Sequence, residues 1–245
     1  MSDKIRRAFL AVTPAPGDRL MLDQEESHHV ARVLRLKAGD PVSVFDGRGG
    51  EWEATVDDAS RGGVSVVVGR ARTDEVEPGL RVVLHQAIVR PEKIEWVLQK
   101  GTEIGVAAFR LIASERVEAP PPSPSRLHRY RRILMEACKQ SGRRLLPELE
   151  LGALEAPPGC VLAIVLAHGT GVPTLGALLA NPAASEVWIA VGPEGGFSEA
   201  EIAAAVSRGW RAASLGPRVL RTETAGAVAG AIVLHRFADL GPSPA

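Results

Sequence analysis

The chain has 245 residues, and its 29 lysines and arginines balance 29 aspartates and glutamates, so the formal net charge is zero. This length allows one large core or two modest ones, and 45% hydrophobic with 24% charged residues is ordinary for a globular protein. No run reaches the ~18 apolar residues of a membrane span and no signal-peptide core opens the chain, so we expect a cytoplasmic protein. Cys138 and Cys160 lie far apart in apolar runs, which favours reduced core residues and argues against a metal site.

Short apolar runs alternate with turn signals in the first seventy residues. The runs are AFLAV, RVLRL, PVSVF, EWEATV and GVSVVV, and glycine pairs or Asp46-Gly47 separate several of them. Short strands at this spacing predict a small β-barrel, which we assign to residues 1–72. The acidic stretch 73–79, which contains Pro78, predicts a linker.

Strand–helix alternation begins at residue 80 and continues to residue 245. The runs VVLHQAIV, AAFRLI, CVLAIVLA and VWIAV are apolar throughout, which is typical of a parallel sheet with both faces covered. Pro91 predicts a first helical turn and Gly105 a helix end. A second helix has apolar residues at helical spacing from Leu127 to Ser141, so its basic residues should face solvent. The proline-rich stretch 119–125 predicts an exposed loop. The fold class is therefore α/β.

The stretch IAVGPEGGFSEAE at residues 189–201 is an apolar run that ends in a glycine-rich loop and a helix start. Ligands bind at the carboxyl ends of strands in open α/β sheets. Gly192, Gly195 and Gly196 leave the backbone bare for a ligand, and Ser198 with Glu201 has the spacing of a capping box. The alternative is a glycine-rich turn without a ligand.

A second loop of this kind, LGPRVLRTETA, occupies residues 215–225. Thr222 or Thr224 is predicted to cap the helix that follows, and Glu223 suits its first turn. The small residues from Ala225 onward predict close helix packing. Two such loops in one domain favour a single binding site. Neither has a P-loop or dinucleotide-binding pattern, so a phosphate-ester or nucleotide enzyme is a minor alternative.

Basic residues cluster although the chain is neutral. Seven lie between Arg126 and Arg144 against the single acid Glu136, three lie between His28 and Lys37, and Arg6 and Arg7 form a third group. Such patches contact nucleic-acid phosphates, or they are solvated faces without a partner.

The motifs GPEGGF and LGPRVLRTETA resemble the signature loops of SPOUT methyltransferases and, more narrowly, of the bacterial 16S rRNA uridine-N3 methyltransferase family. HHVARVLRLKAGD with VFDGRGGEW, EWVLQKGTEIGV and EACKQSGRRLLP resemble further segments of that family in the same order. The resemblance implies a PUA-like RNA-binding barrel, a SPOUT domain at 80–245 and a homodimer. It also implies that the last third of the chain forms a deep trefoil knot. It also implies S-adenosylmethionine as cofactor and 16S rRNA, in the assembled small subunit, as substrate.

The resemblance further implies which residues bind. For the cofactor they are Leu166, Ala167, His168, Gly169, Gly192, Pro193, Glu194, Gly195, Gly196, Leu215, Gly216, Val219, Leu220, Arg221, Thr224 and Ala225. The predicted RNA contacts are Arg6, Arg7, His29, Arg32, Arg35, Lys93, Arg131 and Arg143. Three departures from the family pattern are the missing acidic residue near Ala167–Gly169, Lys139 at a commonly acidic position, and Tyr130 where tryptophan is usual.

Methylation of uridine N3 requires loss of the imide proton, so the enzyme needs an anion stabiliser or a proton acceptor. Arg221 is the first candidate for the stabilising cation and Arg143 the second. Glu194 is interpreted either as an orienting or proton-accepting group, or as a loop-stabilising carboxylate. Glu103 is expected to form a structural ion pair with Lys100 or Arg143. Two alternatives stay open: a noncatalytic RNA-binding protein with this fold, and a SPOUT methyltransferase with another RNA target.

Overall fold

The computed structural model describes residues 6–60, 62–117, 119–159, 161–169, 171–179 and 184–237. The chain divides into two compact units. The first contains Met1–Glu77 together with Cys138–Leu146, and the second contains Pro78–Ala137 and Pro147–Ala245. Within the described ranges, no helix is long and apolar enough to cross a membrane.

The first unit contains a mixed five-stranded sheet in the order β1-β3-β4-β5-β2, with β1 parallel to β3 and the other pairs antiparallel. Its strands are β1 (Arg7–Phe9), β2 (Arg19–Met21), β3 (Pro41–Phe45), β4 (Glu51–Ser60) and β5 (Gly63–Ala71). Strand β4 alternates buried Trp52, Ala54 and Val56 with more exposed residues, as a sheet with one covered face requires. The predicted strands PVSVF, EWEATV and GVSVVV are confirmed.

The predicted strand RVLRL is wrong. Helix α1 (Gln24–His28), capped by the Asp23 side chain, continues directly into a π-helical turn at His29–Val33. Val30 and Leu36 are buried, and Arg35 between them adopts a left-handed backbone with φ 57°. Only Arg32 and Val33 of the predicted strand are helical, and Leu34 to Leu36 belong to no helix or strand. Strand β2, with only three residues, gave no recognisable pattern.

The second unit contains a six-stranded sheet in the order β11-β9-β10-β6-β7-β8, and all its pairs are parallel. Its strands are β6 (Arg81–Ala87), β7 (Ala108–Ile112), β8 (Glu148–Gly152), β9 (Val161–Leu166), β10 (Glu186–Val191) and β11 (Arg211–Ala213). Its helices are α2 (Pro91–Ile104), α4 (Leu175–Leu178), α5 (Glu199–Ser207), α6 (Thr222–Arg236) and most of α3 (Pro124–Ser141), whose residues from Cys138 onward belong to the first unit. The α/β class and the four apolar strands are confirmed. The sequence does not predict the edge strand β8, because two of its five residues, Glu148 and Glu150, are charged.

The predicted helix boundaries and close packing are largely confirmed. Pro91 lies in the first turn of α2, and Gly105 ends it with φ 109°. The proline-rich loop predicted at 119–125 ends at Ser123, because Pro124 and Ser125 already form the first turn of α3. In α6, a Cβ on Gly226 would lie 3.1 Å from Leu84 Cδ2. The helix therefore approaches β6 as closely as its small residues predict.

The two faces of the second sheet pack differently. Leu84 of β6 joins an aliphatic core, while His85 on the other face lies between Trp188 and Trp210, with ring centroids 5.0 and 5.1 Å away. Neither ring nitrogen of His85 has a hydrogen-bond partner among the described residues. Burial, assisted by the charge of Arg110, lowers the pKa of His85 to about 3. The imidazole is therefore a neutral core residue.

Of the two cysteines, the structure describes Cys138 alone. Cys138 is a buried free thiol, and burial raises the pKa of that thiol to about 12. It is a core residue, as expected. Cys160 lies outside the described residues.

Candidate functional site

The glycine-rich loop follows β10 directly and leads into α5. Ser198 and Glu201 form the predicted capping box, with Glu201 N donating to Ser198 Oγ at 3.1 Å and Ser198 N donating to Glu201 Oε2 at 2.7 Å. A Cβ on Gly192 would lie 2.8 Å from Phe197 N, and Gly196 has φ 67°. The loop's own backbone therefore requires Gly192, which the sequence interpretation had assigned to ligand access.

The two predicted loops meet at Thr222. Its hydroxyl donates to the Gly192 carbonyl at 2.6 Å and accepts a hydrogen bond from Gln86 Nε2 at 2.9 Å. Thr222 is buried as the first residue of α6. The N-cap is Arg221, whose side chain makes no capping bond, so the expected cap by Thr222 or Thr224 is wrong. The expected convergence of the loops is confirmed.

A third loop, after β9, reaches the same place. Ala167 N donates to Ala213 O at 2.9 Å, and Thr174 forms a parallel bridge with Ser214. The carboxyl ends of β9, β10 and β11 thus carry one site, as expected for a parallel sheet.

The three loops enclose a cavity of about 390 Å³, a size typical of small-molecule sites. The predicted cofactor residues that line it are Leu166, Ala167, His168, Gly192, Pro193, Glu194, Gly195, Gly196, Leu215, Val219, Leu220 and Ala225. Four other predicted residues are absent from the lining: Gly169, Gly216, Arg221 and Thr224.

Six lining residues were missed from the sequence: Arg116, Val191, Phe197, Glu199, Ile202 and Thr222. All but Arg116 belong to or flank the two glycine-rich motifs, so a wider window around those motifs finds them. Arg116 comes from the segment after β7, far away in sequence, and Arg116 Nη1 donates to the Gly195 carbonyl at 2.7 Å. No local pattern reveals such a contact.

Glu194 forms an ion pair with Lys93, with Nζ and Oε1 2.9 Å apart. Partial burial raises the pKa of Glu194, but the hydrogen bond and charge of Lys93 outweigh burial and hold that pKa below its usual value. Lys93 also lies 3.7 Å from Glu223. Lys93, a predicted RNA contact, is therefore paired with the lining residue Glu194 and lies near Glu223 in the first turn of α6.

Arg221 is exposed between the lining residues Leu220 and Thr222. Its guanidinium makes no ion pair with any residue that the structure describes. Its charge is therefore not neutralised by another residue that the structure describes. The expected Lys100–Glu103 ion pair is confirmed at 2.8 Å, so Glu103 has a structural partner.

The predicted RNA contacts separate into exposed and buried groups. Arg6, Arg32, Arg35 and Arg131 are exposed, and His29 is half-buried. Arg7 and Arg143 are buried, which contradicts the expectation of a surface position for both. Arg7 Nε donates to Glu51 Oε1 at 2.9 Å, and Arg143 pairs with Glu77 at 2.9 Å. Arg143 is accordingly removed as the second catalytic candidate.

The basic residues at the end of α3 and just after it also differ from expectation. Lys139 forms a buried ion pair with Glu26, and Arg144 Nε pairs with Glu51 Oε2 at 2.8 Å. These charges are neutralised inside the first unit, so the solvent-facing prediction for this end of the basic run is wrong. Their acidic partners are too distant in sequence for any helical pattern to predict.

Two family models cover most of the chain: an RNA methyltransferase domain matches residues 76–234, and an RNA methyltransferase PUA domain matches residues 22–69. A protein of Synechocystis sp. is 35% identical over 215 residues, which are 85% of this chain and 70% of that protein. A protein of Mycobacterium bovis is 32% identical over 234 residues, or 90% and 88% of the two chains. Both are named ribosomal RNA small subunit methyltransferase E.

Solved structures agree with the sequence comparisons. The ribosomal RNA small subunit methyltransferase E of Neisseria gonorrhoeae, bound to S-adenosylmethionine, superposes with a TM-score of 0.88 at 28% identity. A Legionella pneumophila protein described as a methyltransferase, also with bound S-adenosylmethionine, gives 0.85 at 33% identity. Each comparison covers 94% of this chain and 97% of the other. The chain belongs to the ribosomal RNA small subunit methyltransferase E family of RNA methyltransferases.

Proposed function

We propose that this protein uses S-adenosylmethionine to methylate N3 of one uridine in 16S rRNA, within the assembled small ribosomal subunit. The observation that carries the proposal is the junction at Thr222, which holds two glycine-containing loops around one cavity. The Neisseria and Legionella relatives were crystallised with this cofactor in the same fold.

The cavity suits the cofactor chemically. Leu166, Leu215, Val219 and Leu220 give it apolar walls that suit an adenine ring, and the glycine-rich loop exposes backbone polar groups. A Cβ on Gly196 would have no neighbour within 4 Å, so that side of the loop is open. Gly216, with φ 104°, shapes the second loop instead of lining the cavity.

The cofactor supplies a methyl group on a positively charged sulfur, and the protein must prepare the nitrogen that accepts it. Uridine N3 becomes nucleophilic when its proton leaves, and a cation near O2 or O4 stabilises the resulting anion. Arg221 is exposed and lies in the chain between two lining residues, Leu220 and Thr222, which supports this role. Glu194 is ionised but is a weak proton acceptor because Lys93 holds its pKa low. We therefore assign Glu194 an orienting role.

RNA contact is assigned to the exposed basic residues of the first unit, Arg6, Arg32 and Arg35, with His29, and to Arg131 of the second. The match to an RNA methyltransferase PUA domain supports this assignment. The proposal has three further parts. The first sheet closes into a barrel, the two domains occupy residues 1–72 and 80–245, and the protein forms a homodimer.

A trefoil knot in the last third of the chain is also proposed. Strand β11 forms one edge of the sheet, yet α6 lies against β10, β6 and α2. After β11 and before α6, the chain must therefore cross back over the carboxyl ends of the strands. This path supports the knot.

Titration calorimetry with S-adenosylmethionine tests the cofactor, and mapping of modified nucleosides in rRNA tests the reaction. We expect micromolar binding, and loss of one N3-methyluridine from 16S rRNA when the gene is deleted. Absence of heat would favour the noncatalytic RNA-binding alternative. A different lost modification would favour another RNA target.

A further inference from the structure

Arg116 lines the cavity but has no part in the function proposed above. Its segment is held in place twice: Arg116 Nη1 donates to Gly195 O at 2.7 Å, and Glu115 N donates to Glu201 Oε1 at 2.9 Å. Arg116 makes no ion pair with any described carboxylate. The wall of the cavity therefore carries a positioned cation with donors left over for a ligand.

Glu199 provides the opposite charge among the lining residues. It lies in the first turn of α5, just after Phe197, and lines the cavity. No basic residue in the described part of the chain pairs with Glu199. Apart from His168, one further charged residue lines the cavity. This is Glu194, which is already paired with Lys93. Arg116 and Glu199 are thus the basic and the acidic lining residue that remain for a ligand.

A ligand with both charges at one end matches this pair. The methionine end of S-adenosylmethionine carries an α-carboxylate and an α-ammonium group on one carbon. We propose that Arg116 binds the α-carboxylate and Glu199 the α-ammonium group. This inference rests on the proposed function, because it assumes that the methyl donor occupies this cavity.

The pair also explains how the glycine-rich loop participates in orientation. Arg116 donates a hydrogen bond to the Gly195 carbonyl. The same guanidinium group therefore positions both the glycine-rich loop and the α-carboxylate of the methyl donor. Charge-assisted hydrogen bonds of this kind are short and directional. These bonds fix the amino-acid end of S-adenosylmethionine, which is attached to the sulfur. They thereby set the direction in which the methyl group points.

The test compares two ligands by titration calorimetry: S-adenosylmethionine and 5′-methylthioadenosine, which keeps the nucleoside and sulfur but lacks the amino-acid end. Arg116→Met should weaken S-adenosylmethionine binding by about 10- to 100-fold and leave 5′-methylthioadenosine unchanged. Glu199→Gln should show the same selectivity. Arg208→Met is the matched control, because Arg208 is exposed and donates to a backbone carbonyl, that of Leu154, outside the cavity.

Two results would overturn the inference. Equal losses for both ligands would mean that Arg116 acts only by shaping the Gly195 loop. Unchanged binding of S-adenosylmethionine with a raised KM for rRNA would assign Arg116 to a phosphate of the substrate. Thermal unfolding of each variant checks that it is folded, and Arg116→Lys, which keeps the charge, should recover part of the affinity. If the wild-type protein binds neither ligand, the proposed function itself fails.

Discussion

Arg221 is the residue on which the proposed chemistry depends most directly. Arg221→Ala should lower kcat about 10²- to 10³-fold, the usual effect of removing one group that stabilises developing charge. The affinity for S-adenosylmethionine should change little, because Arg221 does not line the cavity. Single-turnover methylation of small subunits, with calorimetry in parallel, measures both quantities. Arg208→Ala serves as the control, and equal losses in rate and affinity would make Arg221 a cofactor-binding residue.

His85 should make the stability of the protein depend on pH. Its pKa is about 3 in the folded state and near 6.5 in an unfolded chain, so the unfolded state binds the extra proton between these values. The free energy of unfolding should therefore fall as the pH decreases from 6.5, by at most about 1.4 kcal/mol per pH unit.

Replacing the imidazole tests this dependence. His85→Phe should flatten it and should be neutral or stabilising at pH 7, because two buried nitrogens without partners are removed. Urea unfolding between pH 7 and pH 4 measures the effect, and His128→Gln, an exposed histidine, is the control. An unchanged slope in His85→Phe would assign the dependence to other groups.

At the scale of elements, the join between the β10 loop and α6 depends on one hydroxyl. Thr222→Val keeps the shape of the side chain but removes its bonds to Gly192 and Gln86. We expect a loss of about 1–3 kcal/mol in the free energy of unfolding, since buried polar groups lose partners. Affinity for S-adenosylmethionine should fall as well, because the two loops are no longer held together.

Denaturant unfolding and calorimetry measure the two effects of Thr222→Val. Thr224→Val is the matched stability control, because Thr224 lies in the same helical turn but is only partly buried. Its stability should change by less than about 0.5 kcal/mol. Similar losses in both variants would mean that the helix start, and not the junction, is responsible.

The sequence predicted elements well where their signals are local. The capping box at Ser198 is decided by residues three positions apart, and β10 by one unbroken apolar run, so both were predicted. The site was recognised for the same reason, because most of its lining comes from two short motifs. RVLRL failed because its composition favours a strand, whereas only Arg32 and Val33 are helical and the rest belongs to no helix or strand.

Long-range pairs escaped prediction altogether. Arg116 reaches Gly195 and Lys139 reaches Glu26 through contacts that no periodicity encodes. The burial of Arg143 is of the same kind, because its partner Glu77 precedes it by most of a domain. A basic run therefore looks the same in sequence whether its charges face solvent or are paired in a core.

At the scale of the whole molecule, RNA binding should depend on the charges that stay exposed. Reversing Arg32 and Arg35 to glutamate should weaken binding to rRNA and reduce its salt dependence, because fewer counterions are released. Arg19→Glu with Arg70→Glu is the control: the same charge change in the same unit, at arginines already paired with Asp57 and Glu53. Binding measured across a salt series distinguishes them. An identical slope in wild type and the Arg32/Arg35 variant would exclude this surface from the RNA interface.

The segment Cys138–Leu146 belongs to the first unit, although the chain before and after it belongs to the second. Lys139 and Arg144 supply the cations that Glu26 and Glu51 need inside the first unit. A polypeptide ending at Glu77 would leave Glu26 without Lys139, at a cost of about 3–5 kcal/mol for the broken pair, and would leave Glu51 with Arg7 as its remaining cation. Residues 1–77 transferred by recombination to another gene should therefore make a less stable module than residues 1–77 accompanied by the Cys138–Leu146 segment.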